Sequence, residues 1–139
     1  MFKYILLGVD GSEHALRAAR TAGELARLTG AELRVVVSFD PVPPYLGEPF
    51  LDRAMSDRLK SADEILKPAL KVIGDIPGEL HTEVLEGPAG EAILNVADAR
   101  KSDLIIMGTR GLGRLATLLV GSQSQKVISN ATCPVLLVR

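Results

Sequence analysis

The stretch "KYILLGVDGS", residues 3–12, is a continuous apolar run closed by Asp10, Gly11 and Ser12. A strand with one wet face alternates apolar and polar residues. An unbroken apolar run instead suits a strand buried on both faces, as in a parallel sheet. Ser12 is a good helix N-cap. The "EHALRAARTAGELARLTG" that follows places Ala15, Ala18, Ala19, Ala22, Leu25, Ala26 and Leu28 along one helical stripe. Gly30 stands where a C-cap glycine belongs.

The same strand-then-helix unit recurs further along the chain. "AELRVVVSFDP" reads as a second strand ended by Asp40 and Pro41, and "PVPPYLGEP" reads as loop. Phe50 to Ile73 has helical periodicity, with Leu51, Met55, Leu59, Ala62, Leu66, Leu70 and Ile73 recurring. Pro68 lies inside it and removes a helix hydrogen bond, which predicts a kink or a break near Asp63 to Lys67. "GELHTEVLEG" alternates with period two and reads as a strand near a sheet edge. "PAGEAILNVADARK" is a helix with Ile93, Leu94, Val96 and Ala97 inward, "SDLIIMG" a fourth strand and "PVLLVR" a fifth. Regular alternation calls for parallel strands joined by right-handed helical crossovers, with helices on both faces.

Composition narrows the function classes. The 139 residues suit one domain, spanning residues 1–139, and 47% of them are apolar. A net charge of -1 argues against a general nucleic-acid binder. The single cysteine, Cys133, cannot form an internal disulfide, and it reads as a small core residue. The apolar run at the N-terminus is too short for a signal-peptide core, and no apolar stretch is long enough to span a bilayer. The expected location is cytoplasmic, with no membrane partner.

The chemistry concentrates in "MGTRGLGRLATLLVGSQSQK", residues 107–126, which contains no acid. The Walker phosphate-loop pattern is absent. A Rossmann-type pattern is nominally present at Gly111, Gly113 and Ala116, but it falls in the fourth strand–helix unit, and no acid follows Asp103 to hold a ribose. A third spacing fits better: Gly108, two residues, Gly111, nine residues, then Gly121 and Ser122. Glycines let backbone N–H groups approach an anion without a Cβ in the way. Gly121 and Ser122 open a helix, whose N-terminus offers free N–H donors and partial positive charge, and Ser122 and Ser124 add hydroxyls.

That spacing, with "VDGSEHALRAA" near the start and "CPVLLVR" at the end, resembles the ATP-binding branch of the universal stress protein family. The resemblance implies an open five-stranded parallel sheet of order 3-2-1-4-5, α/β and Rossmann-like, in which Asp10 and Gly108 face one crevice. It implies that Asp10 lies near the ribose and metal, with Val9 and the end of the second strand around Ser38 on the adenine side. Met107, Gly108, Arg110, Gly111, Gly121, Ser122, Gln123 and Ser124 complete the implied nucleotide site. It further implies a homodimer through the last strand, Val135, Leu136, Leu137 and Val138. The chain departs from the common pattern at Gln123 and Gln125, where Val and Glu are usual.

Several readings stay open at this stage. Asp10 either serves the site or merely starts the Asp-Gly-Ser turn, and Arg110 and Arg114 contact phosphate or solvent. Phosphate groups beside one carboxylate invite Mg²⁺ or Mn²⁺ at Asp10. His14 and His81 lack ligand-spaced partners in sequence, so no structural metal is expected. The function these features point to is an ATP-binding, nucleotide-linked switch or sensor in stress response. The competing classes are a slow ATPase or nucleotidyl transferase and a nucleotide-free interaction module. No Ser-His-Asp set is evident, and Asp10 is the one candidate base, so turnover is expected to be slow at most.

Overall fold

The structure is a computed structural model and describes residues 1–109 and 121–139. In chain order the elements are β1 (Tyr4–Gly8), α1 (Glu13–Thr29), β2 (Glu32–Phe39), a 3-10 turn (Pro44–Leu46) and α2 (Phe50–Ile73). There follow β3 (Leu80–Glu86), α3 (Ala89–Arg100), β4 (Leu104–Gly108), α4 (Ser122–Asn130) and β5 (Val135–Val138). The strands form one sheet in the order β3-β2-β1-β4-β5, as the resemblance implies, and neighbouring strands are parallel.

The opening apolar run is explained by the two faces of this sheet. Ile5 and Leu7 of β1 point into a core with Val35, Ile106 and the buried face of α1 and α2. Leu6 points the other way, into a core with Val36, Ile105, Ile93 of α3 and Val127 of α4. β1 is central, with Leu7 opposite Val35 on one side and Ile106 on the other. Every residue of Ile5–Leu7 is therefore essentially inaccessible.

α1 is capped as its sequence predicts. Ser12 Oγ accepts from the Ala15 N–H at 3.1 Å, and Gly30 takes a left-handed conformation with φ 73°. Its buried stripe is almost wholly alanine, Ala15, Ala18, Ala19, Ala22 and Ala26, so the helix sits close to its neighbours. At Gly23 an added Cβ would lie 2.8 Å from the Ile73 carbonyl oxygen of α2. Arg27 fastens the same junction by donating from Nη1 to the carbonyl of Ile73 at 2.7 Å, which the end of α2 leaves without a helical partner, and to that of Asp75, just past the helix, at 3.1 Å.

Three expectations are corrected. Leu28 is 82% exposed. It lies two residues past Ala26, about 200° around the helix, and so leaves the stripe. Of the kink or break expected near Asp63 to Lys67, the break does not occur, because α2 runs without interruption from Phe50 to Ile73. Pro68 and Glu64, whose carbonyl loses its N–H partner, are both exposed, so the loss falls on the face open to solvent. Ala62, Leu66, Ala69 and Ile73 are buried on the opposite face and hold the helix to the sheet. Leu94 of α3 is half-buried rather than inward, while Ile93, Val96 and Ala97 are buried as expected.

Candidate functional site

β1 and β4 are neighbours, yet the chain leaves them toward opposite sides of the sheet, to β2 and to β5. A crevice opens beyond their carboxyl ends, which is where open α/β sheets bind ligands. Its floor depends on two glycines. At Gly8 the missing Cβ leaves room for Ile93 Cδ1 of α3, which would be 2.6 Å away. At Gly108 it leaves room for the first turn of α1, whose His14 carbonyl carbon and oxygen and Ala15 nitrogen would lie 2.6, 2.8 and 2.9 Å away.

The structure brings most of the predicted site residues together here. Val9, Asp10 and Ser38 line one side, and Met107, Gly108, Gln123 and Ser124 the other. The inner crevice holds about 80 Å³ and opens into an outer compartment of about 540 Å³ that shares Asp10, Ser38, Ala89 and Gln123. The larger volume falls within the roughly 300–1,000 Å³ of small-molecule sites. Gly121 and Ser122 stand at the start of α4, as N-cap and first helical residue, and are not in the crevice wall. Arg110 and Gly111, with Gly113, Arg114 and Ala116, lie outside the described residues.

Asp10 starts the turn and also lines the crevice. Its Oδ1 accepts from the Ser12 N–H at 3.0 Å and so shapes the Asp-Gly-Ser turn. The side chain is also exposed and lines both compartments. Among the described residues, Oδ2 takes no hydrogen bond. A carboxylate with one anchored and one open oxygen suits a divalent cation that keeps several waters.

Two helices begin at this crevice, and neither is capped by its own N-cap side chain. In α4 the first helical bond runs from the Gln125 N–H to the Gly121 carbonyl. The N–H groups of Ser122, Gln123 and Ser124 are thus the donors that a helix start leaves over. In α3 the Gly90 N–H is taken by the amide oxygen of Gln123, at 2.7 Å.

The outer compartment adds residues that the sequence did not signal. Asp40, Arg58 and Ser61 line it, with Gly87, Pro88 and Ala89. The last three follow the carboxyl end of β3, so the strand-end rule could have found them. Arg58 and Ser61 project from the middle of α2 and carried no local signal. Thr109, buried just past β4, has its Oγ1 3.3 Å from His14 Nδ1, which also lies 3.2 Å from Arg17 Nη2. A guanidinium can only donate, so Nδ1 acts as an acceptor there.

His81 is a correction. It does have partners: its Nε2 lies 3.2 Å from Glu32 Oε1 and 3.0 Å from Glu79 Oε2, at the opposite end of the sheet from the crevice. The parallel register of β2 and β3 makes this cluster, and hydrogen bonding to the shared ring nitrogen accounts for it. Cys133 is half-buried against the α3–α4 core. Burial, with the negative charges of Asp103 and Asp98, pushes its thiol pKa up, away from the thiolate form.

The model of the Universal stress protein family matches residues 1–139. The chain belongs to the universal stress protein family. A universal stress protein from Thermus aquaticus, described by its place in the QAH/OAS sulfhydrylase 3' region, is 52% identical over 139 residues, the whole of both chains. Universal stress protein UspA from Lactobacillus plantarum superposes with a TM-score of 0.83 at 25% identity, covering 99% of this chain and 98% of that one. A universal stress protein from Archaeoglobus fulgidus in complex with dAMP has a TM-score of 0.72 at 25% identity, covering 100% and 98%. A further universal stress protein, in complex with cAMP, has a TM-score of 0.68 at 28% identity, covering 99% and 97%.

Proposed function

We propose that this universal stress protein binds ATP in the crevice and acts as a nucleotide-linked switch or sensor in stress response. The observation that carries the reading is the uncapped start of α4. Its leftover N–H donors stand beside a crevice that Asp10 and Gly108 line, and the sequence carries the Gly108, Gly111, Gly121, Ser122 spacing. A phosphate chain supplies the oxygens such a helix start needs. The adenine nucleotides bound by the structural neighbours support the same ligand class. Asp10 would hold Mg²⁺ or Mn²⁺, which would offset the negative charge of the phosphates. Among the described residues, Asp10 is the only acid lining the inner crevice, and no second one there is set to position a water. Binding is therefore favoured over turnover.

A ligand that binds only the folded state stabilises it by about 2.7 kcal/mol at a hundredfold excess over Kd. For a domain of this length the melting temperature should rise by about 5–10 °C with ATP and Mg²⁺, and hardly at all with GTP. Phosphate release should stay well below the median enzyme rate of about 10 s⁻¹. Release at about one per second or faster would favour the ATPase reading. Absence of a shift with every nucleotide would leave only an interaction module.

The protein works as a homodimer in the cytoplasm on this reading. β5 is an edge strand, and its four residues are apolar and half-buried. Leu136 and Val138 pack on one core, and Val135 and Leu137 on the other, so only the open edge lacks a partner. Pairing with the same strand of a second copy would cover it about a twofold axis. Leu137→Pro removes one main-chain donor and should shift the protein toward monomer in sedimentation. An unmutated protein that sediments as a monomer at micromolar concentration would defeat the dimer.

A further inference from the structure

Gln123 sits in the second position of α4 and reaches across to the first turn of α3. The neighbouring contacts show how closely the two helix starts are fitted. An added Cβ at Gly90 would stand 2.9 Å from Gln123 Oε1, 3.0 Å from the Gln123 carbonyl and 3.3 Å from Lys126 Cβ. One turn along, Lys126 Nζ meets Glu91 Oε1 at 2.6 Å and ties the same pair of helices a second time.

The hydrogen bond decides which way the amide faces. An N–H can only be met by the oxygen end, so the 2.7 Å contact with Gly90 N–H assigns Oε1 to α3. The amide is planar, and its NH₂ is carried on the other arm, away from Gly90. Gln123 lines both compartments of the cleft. Among the described residues its NH₂ has no hydrogen-bond partner. Pro88, the N-cap of α3, makes no side-chain cap bond, so the bond from Gln123 does a job that α3 cannot do for itself.

We propose that Gln123 is a positioning and recognition residue with two ends: its amide oxygen caps α3 at Gly90, and its amide NH₂ donates to a phosphate oxygen of the bound nucleotide. The second half rests on the ATP reading above; the first does not. The arrangement links ligand and scaffold, because the group that meets the phosphate is held in place by the start of another helix. It also assigns the two helix starts different tasks. α3 is closed from within the protein, while α4 stays open for the ligand.

Two substitutions separate the two ends. Gln123→Glu keeps an oxygen acceptor for the Gly90 N–H but puts an anion where the NH₂ donor stood. Gln123→Val removes both ends, and the Lys126–Glu91 pair still holds the helices together. The Gly90 amide should exchange slowly with solvent in the unmutated protein and in Gln123→Glu, and faster by about tenfold or more in Gln123→Val. ATP affinity in the presence of Mg²⁺ should fall by about tenfold or more in Gln123→Glu, with adenosine affinity unchanged. Wild-type ATP affinity in Gln123→Glu would overturn the donor half. Equal Gly90 exchange in the unmutated protein and Gln123→Val would overturn the cap. An unmutated protein that binds neither ATP nor adenosine would take the donor half down with the functional reading, and Gly90 exchange would still decide the cap.

Discussion

Gly108→Val should destabilise the fold by about 3 kcal/mol or more. The new Cβ alone would lie 2.6 Å from a backbone carbon of α1 and 2.8 Å from a backbone oxygen, and backbone cannot step aside as a side-chain end can. Relief requires the first turn of α1 to lift from β4. That turn carries the Ser12 cap and begins the alanine stripe packed on the sheet, so lifting it opens the core. Against a total stability of about 5–15 kcal/mol such a loss is large. At a slope of about 1–3 kcal/mol per molar, the urea midpoint should drop by about 1–3 M. Gly8→Ala is the control. Its Cβ meets only the Cδ1 end of Ile93, which can rotate away, and it should cost about 1 kcal/mol. Equal midpoints for the unmutated protein and Gly108→Val would show that α1 does not sit where the structure places it.

Gly108 also shows how the sequence can single out a residue and miss a reason for it. In the sequence it was one of several glycines around a presumed phosphate chain. In the structure it has a packing reason that owes nothing to a ligand. The strands themselves were legible because burial on both faces leaves an unbroken apolar run, as in β1 and β4. Their order was not, since periodicity is blind to which strand lies beside which; order 3-2-1-4-5 came with the family resemblance. The continuity of α2 through Pro68 was illegible for a related reason. The proline penalty is local, whereas the burial of Ala62, Leu66, Ala69 and Ile73 that offsets it depends on the rest of the fold.

The site divides along the same line. Val9, Asp10, Ser38, Met107 and Gly108 stand at strand ends, where open α/β sheets bind ligands, and the family resemblance named Val9 and Ser38 among them. Arg58 and Ser61 reach the outer compartment from the middle of a long helix, and only the packing of α2 brings them there. The bond from Gly90 to Gln123 joins residues 33 apart in sequence. Glu32 likewise joins its distant cluster partners Glu79 and His81 only through the register of β2 with β3. Spacing along a chain carries chemistry within a loop or a helix turn; chemistry assembled across a crossover leaves no such trace.

Gly121→Val should weaken ATP binding by about a hundredfold or more, which is about 2.7 kcal/mol, while leaving stability nearly intact. Gly121 is the N-cap of α4, with φ -68° and ψ 167°, an extended conformation that valine adopts readily. It makes no side-chain cap bond to lose, and the Gln125 N–H that closes the first helical turn uses its carbonyl, which valine keeps. The cost to folding should be about 1 kcal/mol, the difference between glycine and a branched residue at an N-cap. The ligand meets a different situation. A phosphate oxygen must come within about 2.7–3.2 Å of the first-turn N–H groups to accept from them, and a branched side chain at the N-cap stands over that approach. Adenosine, which has no phosphate, should bind the variant as it binds the unmutated protein. Titration calorimetry and melting of the same preparations would then show affinity lost without stability, the reverse of Gly108→Val if its remaining folded fraction still binds. Unchanged ATP affinity in Gly121→Val would move the phosphate site away from the start of α4, because no ligand that uses those donors can ignore a side chain placed over them.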